Sequence, residues 1–249
     1  MFSYQLYSSR NFPPLTDTLK MLAAAGYGAV EGYGGLYSDD AAVDAMEAGL
    51  RSTGLTMPTA HFGLDMIEGS PEKVITVAKR LGIRRIYCPW IHPDMRPTDG
   101  AGWRALGARL QQAGAPIRDA DLGFGWHNHD FEFIRCADGT LPQEELFKGG
   151  PDLEWEMDVA WVVRGGADPF AWIEAEKSRI TAAHVKDIAP AGQNLDQDGW
   201  SDVGAGTVPW ARLLTALRGI GVQHFVMEHD NPKDHAGFAA ASIAAVKGF

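Results

Sequence analysis

The sequence predicts a parallel (β/α)8 barrel of the TIM type, built as one domain over residues 1–249. Three observations carry that expectation. Eight short strand-like runs alternate with helix-like runs at spacings of very roughly 25 to 40 residues. Each parallel pairing needs a crossover long enough for a helix, and the alternation supplies one every time. Finally, the segment after the first strand, residues 8–14, contains no glycine. A doubly wound nucleotide-binding sheet, the competing fold, places a Gly-rich turn there.

The strand runs are residues 3–7, 29–33, 57–62, 85–90, 123–128, 153–158, 180–185 and 224–228. Between them, residues 15–25 carry Leu15, Leu19 and Leu22 at helical spacing and stop at Gly26. Ser70-Pro71-Glu72 has the form of an N-cap followed by proline at the first helical position, opening a helix over 71–81 that stops at Gly82. Helices over 103–113, 169–175, 209–217 and 235–246 fill later gaps.

Composition narrows the function. With 22 Lys and Arg against 32 Asp and Glu, the formal net charge is −10. No Lys/Arg-rich run is present, so the electrostatic footprint of a nucleic-acid binder is missing. No apolar stretch approaches the roughly 18 residues needed to span a bilayer. The opening MFSYQLYSSR lacks a basic segment followed by an apolar one, and two cysteines, Cys88 and Cys136, make no disulfide framework. A cytoplasmic location without membrane partners is expected.

Strand C-terminal ends form the mouth of such a barrel, where the chemistry resides. Six of the eight ends carry His, Asp or Glu: Glu31, His61, His127-Asn128-His129, Asp158, His184 and Glu228-His229. Such residues are seldom buried without partners. Imidazoles mixed with carboxylates suit a divalent ion such as Mn²⁺, Zn²⁺, Co²⁺ or Fe²⁺. The alternative is that loop backbone satisfies them as ordinary polar strand termini. Lys186 either shares the face of His184 or pairs with Asp187 as a solvated loop ion pair. The loop 201–207, with Gly204 and Gly206, offers backbone N–H groups to an anion or a sugar oxygen. Alternation along the fifth strand turns Asn128 away from His127 and His129.

The runs Trp126-His127-Asn128-His129-Asp130-Phe131-Glu132-Phe133, Glu156-Met157-Asp158-Val159-Ala160-Trp161-Val162, Ala183-His184-Val185-Lys186-Asp187, Val203-Gly204-Ala205-Gly206-Thr207 and Val226-Met227-Glu228-His229-Asp230 resemble the sugar phosphate isomerase/epimerase group of the xylose-isomerase-like TIM barrels. The resemblance implies one divalent metal per chain, Mn²⁺ first among Zn²⁺, Co²⁺, Fe²⁺ and Mg²⁺, held by His127, Asp158, His184 and Glu228. His127 stands where the family carries a glutamate, which weakens the family's symmetrical two-glutamate mechanism. Trp161 replaces a metal-proximal histidine, which argues for one metal and against a nucleic-acid-repair endonuclease.

The expected function is a metal-dependent sugar isomerase or epimerase working through an enediolate. The alternatives are a lyase of the inosose dehydratase or 3-keto-glycoside type and a non-catalytic sugar-binding barrel. Glu228, His61, His129 and Lys186 are the acid/base candidates, and Glu31, His61, Trp90, Trp126 and Lys186 the substrate-binding ones. Of seven mouth aromatics (Tyr7, Tyr33, Phe62, Trp90, Trp126, Phe131 and Trp161), at least half are expected to be core. Trp200 and Trp210, placed in loops, suggest exposed surface for a homo-oligomer.

Overall fold

The computed structural model describes all of residues 1–249. Eight parallel strands close on themselves: β1 (Phe2–Gln5), β2 (Ala29–Gly32), β3 (Thr56–His61), β4 (Arg85–Cys88), β5 (Gly123–His127), β6 (Glu154–Asp158), β7 (Ile180–Val185) and β8 (His224–Met227). Each strand pairs with its sequence neighbours, and β1 closes the ring on β8 through Phe2↔Phe225 to Tyr4↔Met227. The predicted (β/α)8 barrel is therefore what forms, and all eight strands lie where the sequence put them.

The helices form a ring outside the strands. The predicted spans Leu15–Ala25, Pro71–Leu81 and Pro169–Ala175 are reproduced residue for residue. Gly26 and Gly82 end the first two with φ of 94° and 75°, the left-handed conformation that costs glycine least. Helices Asp40–Thr53, Leu64–Gly69, Ala115–Asp119, Pro142–Gly149 and Val159–Arg164 were not foreseen. The first of these is capped by Asp39, whose Oδ1 accepts from Ala42 N at 2.9 Å, and it buries Val43, Met46 and Leu50. The main hydrophobic core fills the layer between strands and helices, so the barrel's interior can be polar at the mouth.

Two expectations about the loop after β7 are corrected. Trp200 and Trp210 are each only 1% exposed, so they offer no surface to a second copy of the chain. Residues Asp187–Ile188 pair antiparallel with Trp200–Ser201, which folds Trp200 edge-on against Trp161, ring centroids 4.8 Å apart. The backbone N–H groups expected to cradle a ligand are already taken. Gly204 and Gly206 donate to Asp187 Oδ2 at 2.9 and 3.2 Å, and Val208 and Ile188 donate to Oδ1 at 3.0 and 2.9 Å. A Cβ on Gly206 would stand 2.2 Å from that carboxylate, so only glycine permits the approach. Asp187 is thus neither paired with Lys186 nor solvated.

Asp187→Ala is expected to lower stability by about 3 kcal/mol or more, because several N–H groups lose their acceptor at about 1–3 kcal/mol each. Calorimetry and amide exchange over residues 204–208 read this, and an unchanged melting temperature with unchanged exchange would contradict it.

Candidate functional site

The mouth of the barrel opens into a cavity of about 610 Å³. Its lining includes His61, His127, His129, Glu228 and Asp230, the aromatics Tyr7, Tyr33, Trp90, Phe131 and Trp161, and three arginines, Arg10, Arg96 and Arg164. Five of the seven mouth aromatics therefore line the cavity, more than expected. Phe62 and Trp126 are fully buried in the core instead. Trp126 follows the alternation that turns His127 inward and itself points outward, where Nε1 donates to Glu132 Oε1 at 2.9 Å. The expectation that Trp126 binds substrate is corrected on that ground.

At the base of the cavity sit the four residues expected to hold a metal, His127 and Glu228 lining it and Asp158 and His184 behind them. One ligand atom from each of His127, Asp158, His184 and Glu228 lies within 4.8 Å of all the others. Each position has a local cause. Asp158 ends β6 and caps the helix Val159–Arg164, its Oδ1 accepting from Trp161 N at 2.9 Å, while the buried Oδ2 faces Lys186 Nζ at 3.3 Å. Asn128, turned away from the cavity as expected, accepts from Asp158 N and from Trp155 Nε1 and donates to Asp158 O. It ties the end of β5 to that of β6. His184 Nδ1 lies 3.0 Å from Glu228 Oε2 and 3.9 Å from Asp158 Oδ2.

Lys186 belongs to the site, which settles the two alternatives left open by the sequence. It is fully buried, with Nζ 2.9 Å from Glu228 Oε2, 2.9 Å from Asp230 Oδ2 and 3.3 Å from Asp158 Oδ2. Burial disfavours its ammonium, but Asp158, Asp230 and Glu228 outweigh that and raise its pKa. Lys186 does not line the cavity, so its expected contact with substrate is corrected, and its ammonium sits below the cavity surface among these carboxylates.

Glu156, on the same face of β6 as Asp158, was missed. It is fully buried, with Oε2 2.5 Å from His61 Nε2, 3.1 Å from His127 Nδ1 and 3.2 Å from His184 Nε2. Its signal was available, since a residue two before an inward Asp158 also points inward. Glu31 lies beside it, fully buried, with Oε1 2.8 Å from His184 Nε2 and 2.8 Å from Gln5 Nε2. Glu31 faces these imidazoles and not the cavity, so its expected substrate contact is also corrected. Burial, and then the charge of Glu156, raises the pKa of Glu31. Burial works the same way on Glu156, but the His184 and His61 charges overcome it and hold Glu156 ionised.

The histidines separate into two kinds. Burial, followed by the charge of His184, lowers His127 to about 4, and burial also keeps His129 neutral. A neutral imidazole is the form that binds a cation. With His127 Nδ1 held against Glu156, its Nε2 is left for the cavity side, the arrangement by which outer carboxylates orient metal-binding histidines. Of the remaining histidines, His92 is an exposed loop residue 3.4 Å from Asp94, and His235 stacks on Phe12 at 4.1 Å. Neither reaches the site.

Glu132 fixes the loop that carries His129. It accepts from His129 N at 2.9 Å and from Trp126 Nε1, and burial pushes its carboxyl up to about 8. Its ordinary value is near 4.3. A carboxyl raised on folding stabilises fully below the unfolded value, and that contribution is lost as pH rises through the folded value. Relative to Glu132→Gln, the wild type is therefore expected to lose melting temperature between pH 4.5 and 8. A constant difference across that range would contradict the assignment.

Comparison with known proteins adds the fold's relatives. No family model and no curated protein matches the chain. Among solved structures, a sugar phosphate isomerase/epimerase from Parabacteroides distasonis superposes with a TM-score of 0.82 at 21% identity, over 99% of this chain and 93% of that one. The shared fold is the closed (β/α)8 barrel. A "probable 3-DHS dehydratase" from Bacillus anthracis shares this barrel with a TM-score of 0.76 at 15% identity, covering 99% of this chain and 98% of its own. So does the IOLI protein with a bound zinc atom, with a TM-score of 0.72 at 14% identity, over 99% and 95% of the two chains. These identities speak for the shared barrel. No helix of the chain is long and apolar enough to cross a membrane.

Proposed function

We propose that this xylose-isomerase-like barrel is a divalent-metal-dependent enzyme that moves a proton next to the carbonyl of a sugar or sugar derivative. The observation that carries the proposal is the convergence of His127, Asp158, His184 and Glu228 at the base of the cavity, one ligand atom of each within 4.8 Å of all the others. Two carboxylates and two imidazoles are a donor set that suits Mn²⁺ or Zn²⁺. A cation held there supplies Lewis acidity to a carbonyl and its neighbouring hydroxyl.

The chain's own residues do the rest. Glu228 faces the cavity and is the base that takes the proton, leaving an enediolate. Lys186 holds Glu228 and Asp158 in place and offsets their charge. His129 and His61 line the cavity beside Glu228, His129 as a neutral imidazole suited to holding a hydroxyl or returning the proton. Trp90, Phe131 and Trp161 give apolar walls for the C–H faces of a sugar.

One observation favours elimination over epimerisation. Epimerisation through two opposed carboxylates requires one on each face of the substrate, and with His127 in place of the family's glutamate only Glu228 of the four metal-site residues is a cavity-lining carboxylate. A one-base enediolate that expels a β-substituent, as in a lyase, needs no second carboxylate. Three arginines over aromatic faces, with Arg96 3.6 Å from the Phe131 centroid, suit a carboxylate or phosphate on the substrate.

Metal content of the purified protein tests the reading. We expect the wild type to retain Mn²⁺ or Zn²⁺ through desalting and Asp158→Asn to lose it from the quartet with its fold intact. Wild-type protein that takes up no divalent ion after reconstitution would sink the proposal.

A further inference from the structure

Around Glu156, one layer below Asp158 on β6, lies a second set of donor atoms that forms the floor of the site, with His61 of the set also reaching the cavity. His61 Nε2, Glu156 Oε2, His184 Nε2 and Glu31 Oε1 form a closed ring of alternating nitrogen and oxygen. Its edges are 2.5 Å from His61 to Glu156, 3.2 Å from Glu156 to His184, 2.8 Å from His184 to Glu31 and 3.2 Å from Glu31 to His61. Glu31, Glu156 and His184 are fully buried and His61 is 6% exposed. The second carboxylate oxygens, Glu31 Oε2 and Glu156 Oε1, are occluded and have no hydrogen-bond partner. Beneath them, Ser3 shares the face of Gln5 on β1 and Thr59 that of His61 on β3. Both of their hydroxyls are likewise buried without partners.

We propose that this ring is a second divalent-cation site, with Glu31, His61, Glu156 and His184 as ligands and His184 shared between the two sites. Three features support it. A ring nitrogen carries at most one proton, so two N–H groups would have to serve all four edges of the ring, whereas one cation serves every edge at once. With ligand atoms about 2.1 Å from a divalent ion, the edges of a tetrahedron are about 3.4 Å, so the ring has to open by only about 0.2–0.9 Å at each edge. His184 can bridge, because Nδ1 faces Glu228 and Asp158 while Nε2 faces Glu31 and Glu156, and binding an ion on each side would release its last ring proton to solvent and leave an imidazolate. The ligand is a small divalent cation accepting mixed N and O donors, Zn²⁺ or Mn²⁺ before Mg²⁺.

The site goes beyond the proposed reaction and rests on it only for the bridge. Chelator-stripped full-length protein is loaded with Mn²⁺, desalted and analysed by mass spectrometry, with circular dichroism confirming that each variant is folded. Two equivalents are expected in the wild type, and one each in Glu31→Gln, Glu156→Gln and Asp158→Asn. The wild type is further expected to show the electron paramagnetic resonance of a coupled Mn²⁺ pair, and the variants that of isolated ions. One equivalent in the wild type, lost in Asp158→Asn and kept in Glu31→Gln and Glu156→Gln, overturns the floor site and leaves the proposed function standing. One equivalent lost in Glu31→Gln and kept in Asp158→Asn supports the floor site and overturns the quartet. No bound ion overturns both.

Discussion

Lys186→Met is expected to lower the melting temperature of the metal-free protein by on the order of 10 °C. The lysine ammonium sits among Asp158, Glu228 and Asp230, and the lysine, Asp158 and Glu228 side chains are buried while Asp230 is a quarter exposed. Removing one partner of a buried charge set costs about 3–5 kcal/mol, because the remaining charges stay behind uncompensated. In a chain of this size about 1 kcal/mol corresponds to a shift of roughly 2–4 °C. A divalent ion bound next to Asp158 and Glu228 replaces part of the missing charge. Added Mn²⁺ should therefore raise the melting temperature of Lys186→Met more than that of the wild type. Scanning calorimetry with and without chelator measures both, and equal ion-induced shifts would show that Lys186 and the ion do not act on the same carboxylates.

Glu228→Gln should reduce turnover by about 10²–10⁴-fold at saturating metal, the usual contribution of a positioned acid or base. The amide keeps the shape of the side chain, so a substrate that binds the wild type should still bind the variant. Loss of turnover with retained binding distinguishes an enzyme from a sugar-binding barrel. A wild-type complex that never turns over its ligand would favour the binding protein instead. The change also weakens one metal ligand, which is why the assay is run with the ion in excess.

The fold was legible because each strand is a short apolar run bounded by breakers, and because glycine and proline mark helix ends. Where those marks were weak, helices went unseen. Asp40–Thr53 is rich in alanine, which blurs its apolar stripe, and Val159–Arg164 starts directly from β6 with no loop between them. The quartet was legible because all four residues sit at strand ends, where the barrel places its chemistry. Glu156 was not, since it lies one layer deeper in the strand, and attention to strand ends passes over it. Trp126 was misplaced for a related reason: as the other neighbour of the inward His127, it shares with Asn128 the face turned away from the cavity. Of the rim arginines, Arg10 and Arg96 lie outside the helices and strands and Arg164 ends the helix Val159–Arg164. Their convergence depends on how Arg96 stacks on Phe131 and Arg164 on Trp200, contacts between segments far apart in sequence.

Asp158, His184 and Lys186 lie wholly beneath the cavity surface, and only His127 and Glu228 of the quartet face it. An ion travelling to the quartet from the mouth thus passes through the space that a substrate fills. On the proposed reading, loading is sequential: the ion enters an empty barrel, and a bound sugar then stoppers the shaft above it. Substrate becomes a kinetic lock on the metal, slowing its escape to a chelator.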